Sequence, residues 1–519
     1  MFRIKTPTDC ISYIKKSIHK EEKLAFLSTI MIGFFCHLFI FTNSMYNNDD
    51  IRYLYVDFDK PELGRWLQTY AAGITSYYSM PVVNGILALL YIGFTSIVLV
   101  KIFELKNHLN IILVSGLLVT FPTVACLYSY MFASDPFMLS MLLSTLAAYF
   151  VTRTEHKWYW IPGAVCLCCS VGIYQAYLPF TLVLMLLFFV LMLLSPEKYS
   201  DTLIFKTAIR YLIMLFTGML AYYIGMTITI KLKHTVLSDY QGIGESSVPG
   251  FSEIRQRILN VFQDFIDFFR STGVLRFNSW MKLAVILTGA ALLICFLVIY
   301  IKEHVYQNPT RNLWLIFCLI CIPPSVNVIY FISDGVIFHM LMRHTWCLLF
   351  ISIAIFSEKA APYISITKRA LLEWTASLTM LLVVWNYILL SNISYFNMNF
   401  RYEKTYSLCL KIREHLESSE DFDKDRPIAF IGRYSKVYKD YDLMDFLEPM
   451  TGTNGAIIPA SGRAYLAFFQ NCLGEDYTIV TDEDANILSQ TQEFQDMPRF
   501  PKEGSIQVIN GVTVVKLND

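Results

Sequence analysis

The chain has 519 residues, of which 55% are hydrophobic and only 16% charged, with 42 basic residues balancing 42 acidic ones. Soluble domains carry about 25% charged residues, so this composition excludes a soluble globular protein, a disordered chain and a basic nucleic-acid binder. A mean hydropathy of +0.46 defines an integral membrane protein, and 12 cysteines scattered mostly through apolar runs act as small hydrophobes, not as a disulfide framework.

A membrane-spanning helix takes about 20 apolar residues, and about eleven stretches qualify: 24–44, 81–100, 109–130, 136–152, 158–176, 178–194, 210–230, 283–301, 313–332, 336–356 and 370–391. Gln175 and Pro179 interrupt one long apolar run and predict a tight turn between two helices. Lys and Arg alternate between loops. The N-terminal arm and the loops holding Lys101, Arg153, Lys198, Lys302 and Lys359 are basic, whereas those near 131–135, 177 and 333–335 carry none. This places the N-terminus in the cytoplasm and the C-terminus outside, with no cleavable signal peptide in view.

The expected architecture is a mainly α polytopic fold. It has a cytoplasmic arm (1–23), a transmembrane region (24–391) with large outer segments at 45–80 and 231–282, and an outer C-terminal α/β domain (392–519). In that domain residues 402–418 have helical spacing, 427–432 and 477–481 read as buried strands, and Asn510-Gly511 marks a hairpin. Cys409 and Cys472 fall within it and are either a disulfide or two core thiols.

The first outer segment begins with Asp49 and Asp50, two adjacent carboxylates at the membrane boundary. They are either a hydrated helix end or a general base with a metal or substrate ligand; the pair permits a divalent cation without demanding one. Arg52 and Arg65 follow, and their planar donors suit phosphate, although lipid-headgroup contact serves equally. Asp135, before Pro136, is either a helix N-cap or a second acid facing the same cavity, or both. Tyr174 and Tyr177 suit an interface belt, and Gln175 between them a bond to a neighbouring helix or a ligand. His339, Arg343 and His344 lie in a predicted span. Ionisable groups there mark a site or a buried pair, and Asp334 is the nearest partner for Arg343. The Cys166, Cys168, Cys169 run and the Cys318, Cys321 pair lie in apolar helices and fit no zinc or redox site. No Walker A, dinucleotide or HExxH pattern occurs, which disfavours an ATP-driven pump.

Taken in order, Asp49-Asp50 with Arg52, Gly64-Arg65, the Asp135 loop, "YQAYLP" and the closing "MPRFPKEGSIQVINGVTVVKL" resemble the GtrII-like O-antigen glucosyltransferases, within the C superfamily of membrane glycosyltransferases. The resemblance covers nearly the whole chain, although 231–282 holds no matching residue. It implies a GT-C-like fold in a bacterial inner membrane and a donor of undecaprenyl-phosphate glucose. The implied acceptor is a sugar of lipopolysaccharide O-antigen. It also implies two helpers, a flippase for the lipid-linked glucose and a cytoplasmic-side enzyme that loads the carrier. On this reading Asp50 or Asp49 is the general base of an inverting displacement. Arg65, Arg343, Arg255 or Arg257 stabilises the leaving phosphate, and Arg52, Asp135, Tyr174, Gln175 and His344 complete the substrate-binding set. The same chemistry on lipid A, teichoic acid or protein is one alternative. A transporter of lipid-linked sugar or polysaccharide is another.

Overall fold

A computed structural model of the chain describes residues 6–9, 18–238, 251–271, 279–332, 338–419, 421–434, 447, 449–458 and 462–517. Helices dominate it. The principal ones are α1 (Lys20–Thr42), the short α2 (Asn48–Arg52), α3 (Pro81–Phe103), α4 (His108–Thr120), α5 (Pro122–Tyr128), α6 (Met131–Thr152), α7 (Trp160–Ile173) and α8 (Leu178–Leu193). They continue with α9 (Asp201–Leu232), α10 (Phe251–Ser271), α11 (Ser279–Lys302), α12 (Pro309–Val326), α13 (Cys347–Ala360) and α14 (Ile366–Glu417).

Nine helices among the described residues are long and apolar enough to cross a membrane, or ten when α4 and α5 count as one span bent by 43°. The bend sits at Phe121-Pro122, where Pro lacks the N–H and forces the preceding residue out of helical geometry. The fifth expected span, 158–176, is only the 14-residue α7. Gln175 and Pro179 do make a turn: Tyr174 is extended, and a 3-10 turn at Gln175–Tyr177 leads into α8.

The largest departure from the sequence reading is α14, an unbroken helix of 52 residues and about 78 Å long. A bilayer core is about 30 Å thick, so α14 is both the last span and the helix expected at 402–418. Position 391/392 falls in its middle.

Beyond it lies a three-stranded sheet in the order β1 (Ile428–Ile431), β3 (Val512–Lys516), β2 (Ile506–Ile509), parallel between β1 and β3 and antiparallel between β3 and β2. The hairpin turns where expected, with Asn510 and Gly511 both at positive φ, the backbone that a two-residue turn of this hand requires. Residues 477–481 form no strand; Ile479 makes only an isolated bridge to Ile428. One sheet face packs Phe430 and Val515 on Leu408, Ile412 and Leu416 of α14, and the other packs Ala429 and Val514 on Leu488 and Phe494. Cys409 and Cys472 are unbridged thiols.

Several buried polar groups inside the bundle are paired across helices. His37 bonds the Tyr395 hydroxyl at 2.7 Å and the Val119 carbonyl at 2.8 Å. Arg311 is 3% exposed; it caps α8 by donating to the Leu193 carbonyl and pairs with Asp201 at 2.7 Å.

Candidate active site at the tail-side membrane face

The site is organised by the five residues of α2. Asn47 caps it, its side-chain oxygen accepting from the backbone N–H of Asp49 at 2.9 Å and of Asp50 at 2.8 Å. Successive residues of a helix point about 100° apart, and α2 turns three of them to three different surroundings.

Ile51 joins the core of the tail beside Leu408, Ile412 and Phe468, and its carbonyl accepts from Asn471 at 2.8 Å. Asp50 is fully buried against the bundle. Its Oδ1 accepts from Ser79 Oγ at 2.9 Å and from the Phe132 N–H, at the start of α6, at 3.2 Å, while Oδ2 is buried without a hydrogen-bond partner. Burial pushes this carboxyl up to about 7, with Asp49 adding to the rise. Asp49, half-buried, faces a cavity of 340 Å3. Burial raises its carboxyl too, and the charge of Arg52 opposes the rise.

Asp49 is the only acid among the described residues lining that cavity, and Arg401 and His339 are its only basic groups. The remaining lining is mostly amides, hydroxyls and backbone, from Asn47, Asn48, Tyr46 and Tyr130 and from the tail segment 451–457, with Met398 and Ile457 as its apolar part. Burial and the charge of Arg343 hold His339 below the usual histidine range. Arg401, on the part of α14 that leaves the bundle, fixes the cavity wall by donating to the Gly455 carbonyl at 2.7 Å. Gly452, at φ +85°, presses that wall onto the junction of α5 and α6; a Cβ there would lie 2.1 Å from Ser129 Oγ.

The other sequence candidates lie elsewhere. Asp135 is not an N-cap, because α6 starts at Met131 and carries Pro136 within it. Nor does it line the cavity: it accepts from Asn84 at 2.9 Å and Thr75 at 3.3 Å in a separate buried knot. Arg65 lies over the Tyr174 ring at 4.9 Å, and Tyr174 stacks on Phe137 at 4.0 Å. Gln175 donates to the Leu63 carbonyl at 2.7 Å, and Tyr222 to the Gly64 carbonyl at 3.1 Å. Gly64, Arg65, Tyr174 and Gln175 thus form one clamp that holds the outer segment on α7 and α9. Gly64 has φ +73°, and a Cβ would lie 2.7 Å from both Gln175 Nε2 and the Tyr222 hydroxyl.

Arg343 makes a buried acid pair, but with Asp264 of α10, at 2.6 and 3.0 Å; Asp334 lies outside the described residues. The segment 231–282 therefore supplies a contact that the sequence did not disclose. His344 has both ring nitrogens engaged inside the bundle, by the Tyr177 hydroxyl at 3.0 Å and the Leu118 carbonyl at 3.0 Å, and does not line the Asp49 cavity. Arg257 donates to the Phe331 carbonyl; neither it nor Arg255 lines the cavity.

Arg401, Tyr130 and the 451–457 wall were not singled out in the sequence. The run Thr451-Gly452-Thr453-Asn454-Gly455 was a legible turn signal, but its place over Asp49 is a tertiary fact. Among the described residues no group of three or more His, Cys, Asp or Glu could hold a metal ion, and Asp49 and Asp50 face apart instead of converging on one.

A helical bundle that closes a polar, acid-bearing cavity under its own tail defines a multi-pass membrane protein with an enzyme-like site at one membrane face. The profile of the Glucosyl transferase GtrII family matches residues 38–351, more than half of the chain, and the chain belongs to that family; it is a membrane glycosyltransferase. None of the curated proteins and none of the solved structures compared with the chain matches it. The matched stretch contains Asp49, Tyr130 and His339, whereas Arg401 and 451–457 lie beyond it.

Proposed function

We propose that the protein transfers a glucosyl group from undecaprenyl-phosphate glucose to a sugar of lipopolysaccharide O-antigen, with Asp49 as general base. The observation that carries this reading is the single carboxylate presented to a cavity of amides, hydroxyls, one Arg and one His. The acceptor hydroxyl attacks the anomeric carbon and gives its proton to Asp49. The new carbon–oxygen bond forms as the bond to the phosphate oxygen breaks. The electron pair leaves with the polyprenyl phosphate, and the anomeric configuration inverts.

Arg401 and His339 face the growing phosphate charge, in place of Arg343, whose fork is occupied by Asp264. Asp50 is a positioning residue that ties α2 to α6 and Ser79. An apolar recess of 370 Å3 lined by Phe265, Phe269, Phe296 and Phe350 suits the polyprenyl chain. No step requires a metal.

The alternation of basic loops supports a cytoplasmic N-terminus and a periplasmic tail in a bacterial inner membrane. The flippase and the carrier-loading enzyme are the functional partners in this scheme. A different envelope acceptor would use the same base. A transporter is disfavoured, since the cavity lies at helix ends and not at the midplane.

The test is transfer by purified protein given polyprenyl-phosphate glucose and isolated O-antigen. Asp49→Asn should fold normally and lose about 10²–10⁴-fold in rate. A fully active Asp49→Asn enzyme would sink the assignment.

A further inference from the structure

The end of the bundle opposite Asp49 holds a second enclosure of different chemistry. α3 starts near Ser79, the partner of Asp50, and ends 23 residues later at Phe103, about 34 Å away. There the C-terminal turns of α3, α8, α11 and α13 surround a cavity of 170 Å3. Phe188, Leu191 and Ile299 form its apolar wall. Its rim carries two acids and two bases, Glu104, Glu303, Lys198 and Lys359.

Three of these four are engaged. Lys198 pairs with Glu104 at 3.5 Å, and Glu303 accepts from the Tyr363 hydroxyl. Lys359, half-buried in the last turn of α13, makes no ion pair or hydrogen bond among the described residues. Glu104 and Glu358 lie near enough for their charges to act on it but not in contact, and a half-buried ammonium without a close anion is unfavourable. A purely anionic ligand would nevertheless meet two carboxylates and several helix C-termini, whose carbonyl ends are the negative pole. The rim is balanced in formal charge and bipolar, and its ligand should be too.

We propose that this cavity binds the headgroup of a zwitterionic phospholipid bearing a primary ammonium, an ethanolamine phospholipid, with its phosphate on Lys359 and Lys198 and its ammonium on Glu303. A primary ammonium donates hydrogen bonds to a carboxylate and to helix-end carbonyls, which a quaternary choline cannot do. The acyl chains continue along the apolar wall into the bilayer. The bound lipid ties together the ends of four helices at the face away from the active site.

The experiment is native mass spectrometry of the full-length protein in detergent, titrated separately with dioleoyl phosphatidylethanolamine, phosphatidylcholine and phosphatidylglycerol. The ethanolamine lipid should bind about tenfold more tightly than either other lipid. Lys359→Gln and Lys198→Gln should weaken binding of all three lipids, because each presents the same phosphate to the lysines. Glu303→Gln should abolish the discrimination between ethanolamine and choline, and reads the ammonium half of the site independently if a lysine variant fails to fold. Soluble glycerophosphoethanolamine, which lacks acyl chains, should not displace the lipid. Equal binding of the three lipids, a preference for phosphatidylglycerol, displacement by the soluble headgroup, an ethanolamine preference unchanged in folded Glu303→Gln, or affinities unchanged in folded lysine variants would each overturn the proposal.

Discussion

Asp49 and Asp50 are neighbours in sequence, yet their environments assign them different work. Asp49 looks into a polar cavity, and Asp50 is sealed under it with one oxygen unpartnered. The burial that lifts the Asp50 carboxyl to about 7 makes its folded form bind a proton that the unfolded chain has released at the same pH. Because the folded value is the higher one, the Asp50 contribution to stability is largest in acid. It declines as pH rises through the range from 3.8 to about 7 and levels off above it, with a slope of at most about 1.4 kcal/mol per pH unit. Thermal unfolding in detergent between pH 5 and 8 should show the wild type losing stability, and Asp50→Asn should flatten that dependence. A variant as pH-sensitive as the wild type would mean that Asp50 is charged in the folded protein. The sequence revealed the acid pair but could not say which acid faces the cavity, because a helix of five residues has no periodicity from which to read its buried side.

Between elements, two contacts decide the shape of the site. The first joins α10 to the loop before α13 through Asp264 and Arg343, both mostly buried. Removing one partner of such a pair strands the other charge. Arg343→Met should cost about 3 kcal/mol in thermal unfolding, and Arg343→Met with Asp264→Leu should recover most of it. The double variant should also keep glucosyl transfer; if it is stable but inactive, Arg343 belongs with the substrate and not with the scaffold. The second contact is Gly452 on Ser129 and Tyr130. Gly452→Ala cannot be accommodated without moving the 451–457 segment, so transfer should fall at least about tenfold while the melting temperature changes little. Unaltered transfer would separate that segment from the acceptor. The sequence marked 231–282 as a large outer segment and did not single out 451–457. It could not pair either with its partner, since the residues that meet are 79 positions apart in one case and more than 300 in the other.

At the scale of the molecule, the tail and the bundle share α2. Ile51 lies in the tail's core, and its carbonyl holds Asn471, while the next residue back, Asp50, is bonded to α6. Separating tail from bundle must therefore disturb the residue that carries Asp49. Ile51→Ala should cost about 2–4 kcal/mol, raise protease sensitivity in the tail first, and lower transfer although Ile51 touches no cavity. If cleavage and transfer were both unchanged, tail and bundle would be independent. The 52-residue α14 enforces the same coupling, since a helix continuous through the membrane boundary carries Arg401 as a rigid extension of the last span.

Much of this was legible in the chain itself. Twenty-residue apolar runs, the alternation of basic loops, the break at Gln175 and Pro179 and the Asn510-Gly511 hairpin depend on local composition and backbone geometry, and short motifs in order pointed to the family. What depends on burial or on distant partners was not. The span expected at 158–176 became a 14-residue helix, and the last span ran on past its expected end, because hydropathy marks apolar length and not where a helix stops. The strand expected at 477–481 reduced to one bridge. Asp135, Gln175, Arg343 and His344, for which the sequence left a substrate role open, have partners within the protein. An ionisable residue in an apolar setting must be satisfied, and sequence reveals that need without revealing who meets it. Only the tertiary structure decided that Asp49 and not Asp50 opens to the polar cavity, and that Arg401 and the 451–457 segment close it from the far end of the chain.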